Sequence, residues 1–226
     1  MALKKERRAR DPQATRAAIL EAACALMAKE GSEGVSLSAV AHLASVNRGT
    51  AYQHFETREK LLKATANWVS DKMFHAVFGD PETIGERRVE LVDIGDITER
   101  LANFAMENPE LCRIWFLQTL SSPDPASDRF WQEYAGSIGR FAKTDLAQPN
   151  IDVEVFSVIT LAGNFLWPVW AHSQSNVECR FLAHRFAQEM MRVSMYGSMN
   201  PIRYPEIAAQ LEGDTPVVSK LRAAGK

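Results

Sequence analysis

Between residues 37 and 55 an apolar pattern at helical spacing stops for three residues and then resumes. Leu37, Val40, Ala41 and Ala44 recur at the helical period, and Ser36 stands in front of them as an N-cap. Ser45-Val46-Asn47 breaks the pattern, and residues 48–55 take it up again with Asn47 placed to cap. Two short helices joined by so tight a turn predict a helix-turn-helix, whose second helix is shaped to enter a DNA major groove. That second helix presents Arg48, Thr50, Tyr52, Gln53 and His54, all able to hydrogen-bond or stack, and leaves Ala51 and Phe55 for the core. A helix with a purely structural task would carry more aliphatic side chains.

Residues 15–62 resemble the DNA-binding domain of TetR-family transcriptional regulators. The resemblance rests on Thr15-Arg16, Ile19-Leu20, Ala22-Ala23, Leu26, Gly31, Ser36, Val40-Ala41, Val46, Gly49-Thr50, Tyr52, His54-Phe55 and Leu61-Leu62, in one register. Ser45 departs from the family's usual Gly, and Asn47 from its frequent Ser. Asn both caps well and tolerates left-handed backbone; Ser45 is expected to strain the turn slightly.

The resemblance implies an all-α chain: a three-helix helix-turn-helix DNA-binding domain at the N-terminus, then a larger helical bundle for regulation and dimerisation. The corresponding boundaries are a basic arm at 1–10, the DNA-binding domain at 11–57, the ligand-binding and dimerisation domain at 58–200, and a tail at 201–226. Arg48 suits guanine edges or phosphate, and Thr50 and Gln53 suit base edges. Tyr52 matches the family's aromatic that meets thymine methyls or phosphate, His54 a phosphate contact, and Arg58 a basic grip on phosphate after the recognition helix. Ser38 matches a position that often reads a base, and is equally an exposed polar residue.

Charge is uneven along the chain. Residues 1–60 hold ten Lys/Arg against seven Asp/Glu, whereas the remainder holds sixteen against twenty-one, which together give the net −2. The positive end is concentrated in Lys4, Lys5, Arg7, Arg8 and Arg10. Such a segment either solubilises the chain as a free tail or enters the minor groove beside the recognition helix.

The first helix should open at Asp11-Pro12 and stop near Gly31, with Ile19, Ala22, Ala23, Leu26 and Met27 on one face. A long helix from Thr57 or Arg58 to about Phe78 should link head to body. Further helices are expected near 87–108, 109–121, 126–146, 152–173 and 176–197, with a loop at 79–86. Residues 155–177 carry no Lys, Arg, Asp or Glu, yet Ser157, Thr160, Asn164, Pro168 and His172 interrupt them. That favours a buried or interface helix over a bilayer span, kinked at Pro168. Three scattered cysteines without a CxxC pair argue against a disulfide framework and for a cytoplasmic protein.

Aromatic residues gather in the second half of the chain, and five Trp are difficult to pack without gaps. Phe104, Trp115, Trp131, Tyr134 and Phe165, with Gln118 and Asn164 as polar anchors, are the expected walls of a pocket for a mostly apolar small molecule. Phe156, Ile159, Gly163, Leu166 and Trp170 form one apolar stripe, and Leu182, Phe186, Met190 and Val193 another. Two such helices from each of two subunits would build a four-helix dimer interface.

No GxGxxG, Walker A, HExxH or GxSxG pattern occurs, so no catalytic residue, cofactor or metal is expected. His172, Cys179 and His184 lack the spacing of a metal site. The expectation is therefore a homodimeric regulator on a palindromic double-stranded operator, with a small-molecule effector and no membrane partner. The alternative is a DNA-binding regulator governed by a protein partner or a metal.

Overall fold

A computed structural model describes residues 11–81, 94–174, 178–196 and 202. The basic arm, the start of the helix expected at 87–108, most of the 79–86 loop and nearly all of the tail lie outside them. Among the described residues the regular elements are all helical.

The head consists of α1 (Pro12–Glu30), α2 (Leu37–Leu43) and α3 (Arg48–His54). Each begins where a side chain takes over an orphaned backbone donor. Asp11 Oδ1 accepts from the Gln13 N–H at 2.9 Å, Ser36 Oγ from Ala39 at 3.1 Å and Asn47 Oδ1 from Gly49 at 2.9 Å. Pro12 sits where its missing N–H costs nothing. The first helix stops at Gly31, whose φ of 72° is open to glycine and strained for other residues. A short 3₁₀ turn (Ser32–Gly34) then leads into α2. Ile19 and Ala23 of α1 are fully buried with Val40 of α2 and Ala51 of α3, so the small side chains let three helices meet closely.

The connector α4 (Arg58–Phe78), capped by Thr57, starts and ends as its sequence predicts. Behind it lie α5 (Ile94–Glu107), α6 (Pro109–Ser121), α7 (Arg129–Phe141), α8 (Val153–Gln174) and α9 (Cys179–Tyr196). The connector packs against α1 on one side and against α5, α6 and α7 on the other. Its buried Val69, Met73, Phe74, Val77 and Phe78 belong to one apolar cluster that runs without a break from Ile19 and Phe55 in the head to Trp115, Phe130 and Phe165 in the body. A smaller cluster joins Ala102 and Met106 of α5 to Ala171 of α8 and Leu182, Ala183 and Ala187 of α9.

The α7 helix is shorter than expected. Pro125–Ser127 forms a separate 3₁₀ turn, and Asp128 starts the helix by accepting from the Trp131 N–H at 2.9 Å. By contrast α8 keeps its expected length, running through Pro168 as a single helix. Val153–His172 is long and apolar enough to cross a membrane, and only a third of it is covered by the rest of the chain. Val155, Val158, Ile159, Leu166, Val169 and Trp170 stand exposed on it.

The second expected interface stripe is divided by the fold: Leu182 and Phe186 pack within the chain, whereas Val193 stays 44% exposed. Leu182 is 4% exposed within the cluster it forms with Ala102 and Met106, so it faces its own chain. Phe186 stacks on Trp167 with ring centroids 5.9 Å apart. A Cβ on Gly163 would lie 3.4 Å from the Phe186 ring, so this position of α8 faces α9 of its own chain. Of the stripe on α8, Ile159, Leu166 and Trp170 do face outward.

Candidate nucleic-acid interface and aromatic cluster

The turn between α2 and α3 is held from within. The Ser45 N–H donates to His42 O at 3.1 Å and the Val46 N–H to Ala41 O at 3.0 Å. Ser45 takes a φ of 52°, the left-handed conformation a glycine would adopt at less cost. Ala51 at 0% and Phe55 at 3% exposure anchor α3 to the core. The opposite face carries Arg48, Tyr52 and Gln53 into solvent, with Thr50 and His54 half-buried beside them. The Arg48 guanidinium lies over the Tyr52 ring, 5.7 Å from its centroid, so the pair holds a cation and an aromatic edge on one side of the helix. Ser38 is half-buried in the first turn of α2. Asn47 Oδ1 is engaged as the α3 cap, which gives this residue a structural task whatever else its amide contacts.

Arg58, expected as a grip on phosphate, has partners within its own chain. Its Nε donates to Val35 O at 2.9 Å and its Nη2 to Ser32 O at 2.5 Å, with Glu33 3.9 Å away. The guanidinium therefore ties the start of the connector to the turn after α1. Arg16, part of the family pattern, lies over the Phe55 ring at 5.0 Å and braces the far end of α3.

Most of the expected pocket residues converge. Trp115 meets Phe130 edge-on at 5.7 Å and Phe165 at 5.2 Å, and Phe130 stacks on Tyr134 at 6.0 Å. Trp131 and Phe104 are half-buried against the large core that contains this group, and Gln118 is half-buried one turn along α6 from Trp115. The Tyr134 hydroxyl donates to Thr160 Oγ1 at 2.8 Å, and burial pushes its pKa up to about 12. Asn164 is 3% exposed, and its Nδ2 donates to Thr160 O at 2.9 Å. Phe130, which the sequence gives no special standing, proves to be the fully buried centre of this group. Its aromatic character was visible; its position depends on contacts far apart in the chain.

The cluster touches the connector directly. Ser70 Oγ accepts from the Phe130 N–H at 3.1 Å, Arg129 pairs with Asp71 at 2.7 Å, and the same guanidinium lies 4.3 Å over the Phe74 ring. On the other side Arg113 of α6 donates to Ala28 O near the end of α1 while pairing with Glu110. Neither contact has a local sequence signature, since each joins residues more than fifty positions apart. Among the described residues no group of His, Cys, Asp or Glu is arranged to hold a metal. His184 instead pairs with Glu99 at 3.4 Å.

The fold thus sets a helix-turn-helix head on a larger helical body and turns the polar face of α3 outward. Residues 19–65 match the model of the bacterial regulatory proteins of the tetR family. The HTH-type transcriptional repressor SCO4008 of Streptomyces coelicolor is 32% identical over 108 residues, 48% of this chain and 51% of that protein, so the match spans about half of the relative. A tetR-family regulatory protein from Rhodococcus RHA1 superposes with a TM-score of 0.61 at 19% identity, covering 82% of this chain and 98% of its own. AibR, solved in complex with isovaleryl coenzyme A and operator DNA, gives a TM-score of 0.61 at 18% identity over 77% of this chain and 97% of its own. Residues 19–65 thus match the tetR-family model, and the helical fold as a whole is shared with solved structures of that family.

Proposed function

We propose that the chain is a homodimeric transcriptional repressor that binds a palindromic operator and is released from it by a small, mostly apolar effector. The observation that carries this reading is the exposed Arg48, Tyr52 and Gln53 face of a helix anchored by buried Ala51 and Phe55. A rigid helix of this kind reads base edges with little loss of side-chain freedom beyond the contacts themselves.

The outward apolar face of α8 supports dimerisation. Ile159, Leu166, Val169 and Trp170 are each more than half exposed, a surface that a symmetric copy would cover. Within residues 11–60 the charge is five Lys/Arg against six Asp/Glu, or −1, so the attraction to phosphate falls to the arm, where five basic residues oppose Glu6. The relative named as a repressor and the structural neighbour solved with operator DNA support the same reading. Localisation in the cytoplasm accords with it.

Release follows from the contacts around the aromatic cluster. A ligand that displaces Phe130 or Tyr134 moves the start of α7, and with it Ser70 and Asp71 on the connector. An effector that binds the DNA-incompetent arrangement better shifts the population toward it.

Selection of bound duplexes from random sequence tests the reading. A palindromic consensus with half-sites about one DNA turn apart is expected, and Gln53→Ala should change that consensus. Deleting residues 2–10 should flatten the salt dependence of binding. Equal affinity for selected and bulk DNA at low salt overturns the proposal.

A further inference from the structure

The aromatic cluster encloses two polar atoms that the protein leaves unmatched. Trp115 Nε1, a donor on α6, and Asn164 Oδ1, an acceptor on α8, are shielded from solvent and meet no hydrogen-bonding partner among the described residues. Both side chains are 3% exposed. Buried polar groups without partners are rare because each has lost its hydration without compensation.

Local adjustment does not relieve them. Turning the Asn164 amide over would bring Oδ1 against Thr160 O, which now accepts from Nδ2 at 2.9 Å. The neighbouring hydroxyls are already committed, since Tyr134 donates to Thr160 Oγ1 and Thr160 in turn donates to Phe156 O at 2.8 Å. The Trp115 ring is fixed between Phe130 and Phe165, which sets the direction of its N–H. Phe165 follows Asn164 in the chain, so donor and acceptor stand on the two walls, α6 and α8, that meet at the Trp115–Phe165 contact.

We infer that Trp115 Nε1 and Asn164 Oδ1 are the polar anchors of the effector site, and that they select a neutral ring compound offering one acceptor and one donor. Amides, lactams and hydroxylated ring ketones have that chemistry. The surrounding Phe104, Phe130, Trp131, Tyr134 and Phe165 carry no formal charge at neutral pH, so an anion or cation entering here would lose its hydration with no counter-charge among them. This assignment rests on the proposed effector reading and names the chemistry within it.

Thermal unfolding and calorimetric titration of the full chain test it with three probes of one shape: benzamide, ethylbenzene and benzoate. Benzamide is expected to bind and raise the unfolding temperature, ethylbenzene to bind about tenfold or more weakly for want of both hydrogen bonds, and benzoate to have no effect. Trp115→Phe and Asn164→Leu should each abolish the preference for benzamide over ethylbenzene. If Asn164→Leu does not fold, Trp115→Phe alone decides. No benzamide binding, equal binding of ethylbenzene, or an unchanged preference in the variants overturns the assignment. Operator binding, measured separately by fluorescence anisotropy, keeps the two readings apart. Loss of probe selectivity beside intact operator recognition removes only the assignment, whereas selective probe binding without operator recognition removes the regulator reading.

Discussion

The Ser70 hydroxyl accepts a hydrogen bond from the Phe130 N–H at 3.1 Å, so the connector helix supplies a cap for a helix of the body. Asp128 caps the next donor, that of Trp131, at 2.9 Å. Together they satisfy two of the orphaned donors at the start of α7, one locally and one across the fold. Ser70→Ala leaves the buried Phe130 N–H without its acceptor and is expected to destabilise the chain by about 1–2 kcal/mol. Urea unfolding measures this, and an unchanged midpoint would show that α7 does not depend on α4 for its start.

Arg58 is expected to behave as a brace. Removing its bonds to Ser32 O and Val35 O by Arg58→Ala should lower stability by about 2 kcal/mol, the scale of hydrogen bonds from a charged donor. Lysine cannot reproduce the fork, so Arg58→Lys should recover little of the loss. Among folded molecules the salt dependence of operator binding should be unchanged. A drop of about one in the logarithmic salt slope would instead identify a phosphate contact.

The exposed face of α8 and the buried face of α9 should respond differently to charge. Ile159→Arg and Leu166→Arg are expected to yield folded monomers in sedimentation analysis, with operator affinity lost along with the dimer. Leu182→Arg places a charge inside the cluster with Ala102 and Met106 and should unfold the chain instead. A dimer that persists in both α8 variants would move the interface elsewhere.

Thiol reactivity and alkaline stability follow from burial. Desolvation pushes Cys24 and Cys112 from 9.0 to about 12, whereas Cys179 is half-buried. At pH 8 a thiol reagent should therefore label Cys179 in the folded chain and the other two only after denaturation. Burial likewise raises Tyr134 from 10.0 to about 12. Because these folded values lie above the unfolded ones, their contribution is fully present below about pH 9 and is lost as pH rises toward 12. Circular dichroism across that range should show a falling unfolding temperature.

The head was readable because its signals are local. Asp11, Ser36, Asn47 and Thr57 lie next to the helices they cap, and Ala51 and Phe55 show their burial by spacing alone. The aromatic residues of the body announced a cluster, with Asn164 and Gln118 as its polar groups; that the Trp115 N–H is left unmatched there emerges only from the packing. Ser70, Thr160 and Arg113 were not announced, since their partners are set by how α4, α7, α8 and α1 come together. Arg58 shows the same limit from the other side: its bonds to Ser32 O and Val35 O join positions more than twenty residues apart and have no local signal. Leu182 and Ile159 look alike in sequence, and only packing separates the one turned inward from the one left bare.

The apolar cluster that passes from Ile19 through the connector to Phe165 also bears on how such a molecule can be taken apart. A cut after α3 would fall across side-chain contacts and not along a linker, stripping Leu61 and Val69 from the helices they cover. Exchanging heads between proteins of this architecture therefore means carrying α4 along as far as Phe78 and matching the new surface to α6 and α7. Head and body are two ends of one solid, and a graft has to respect the grain between them.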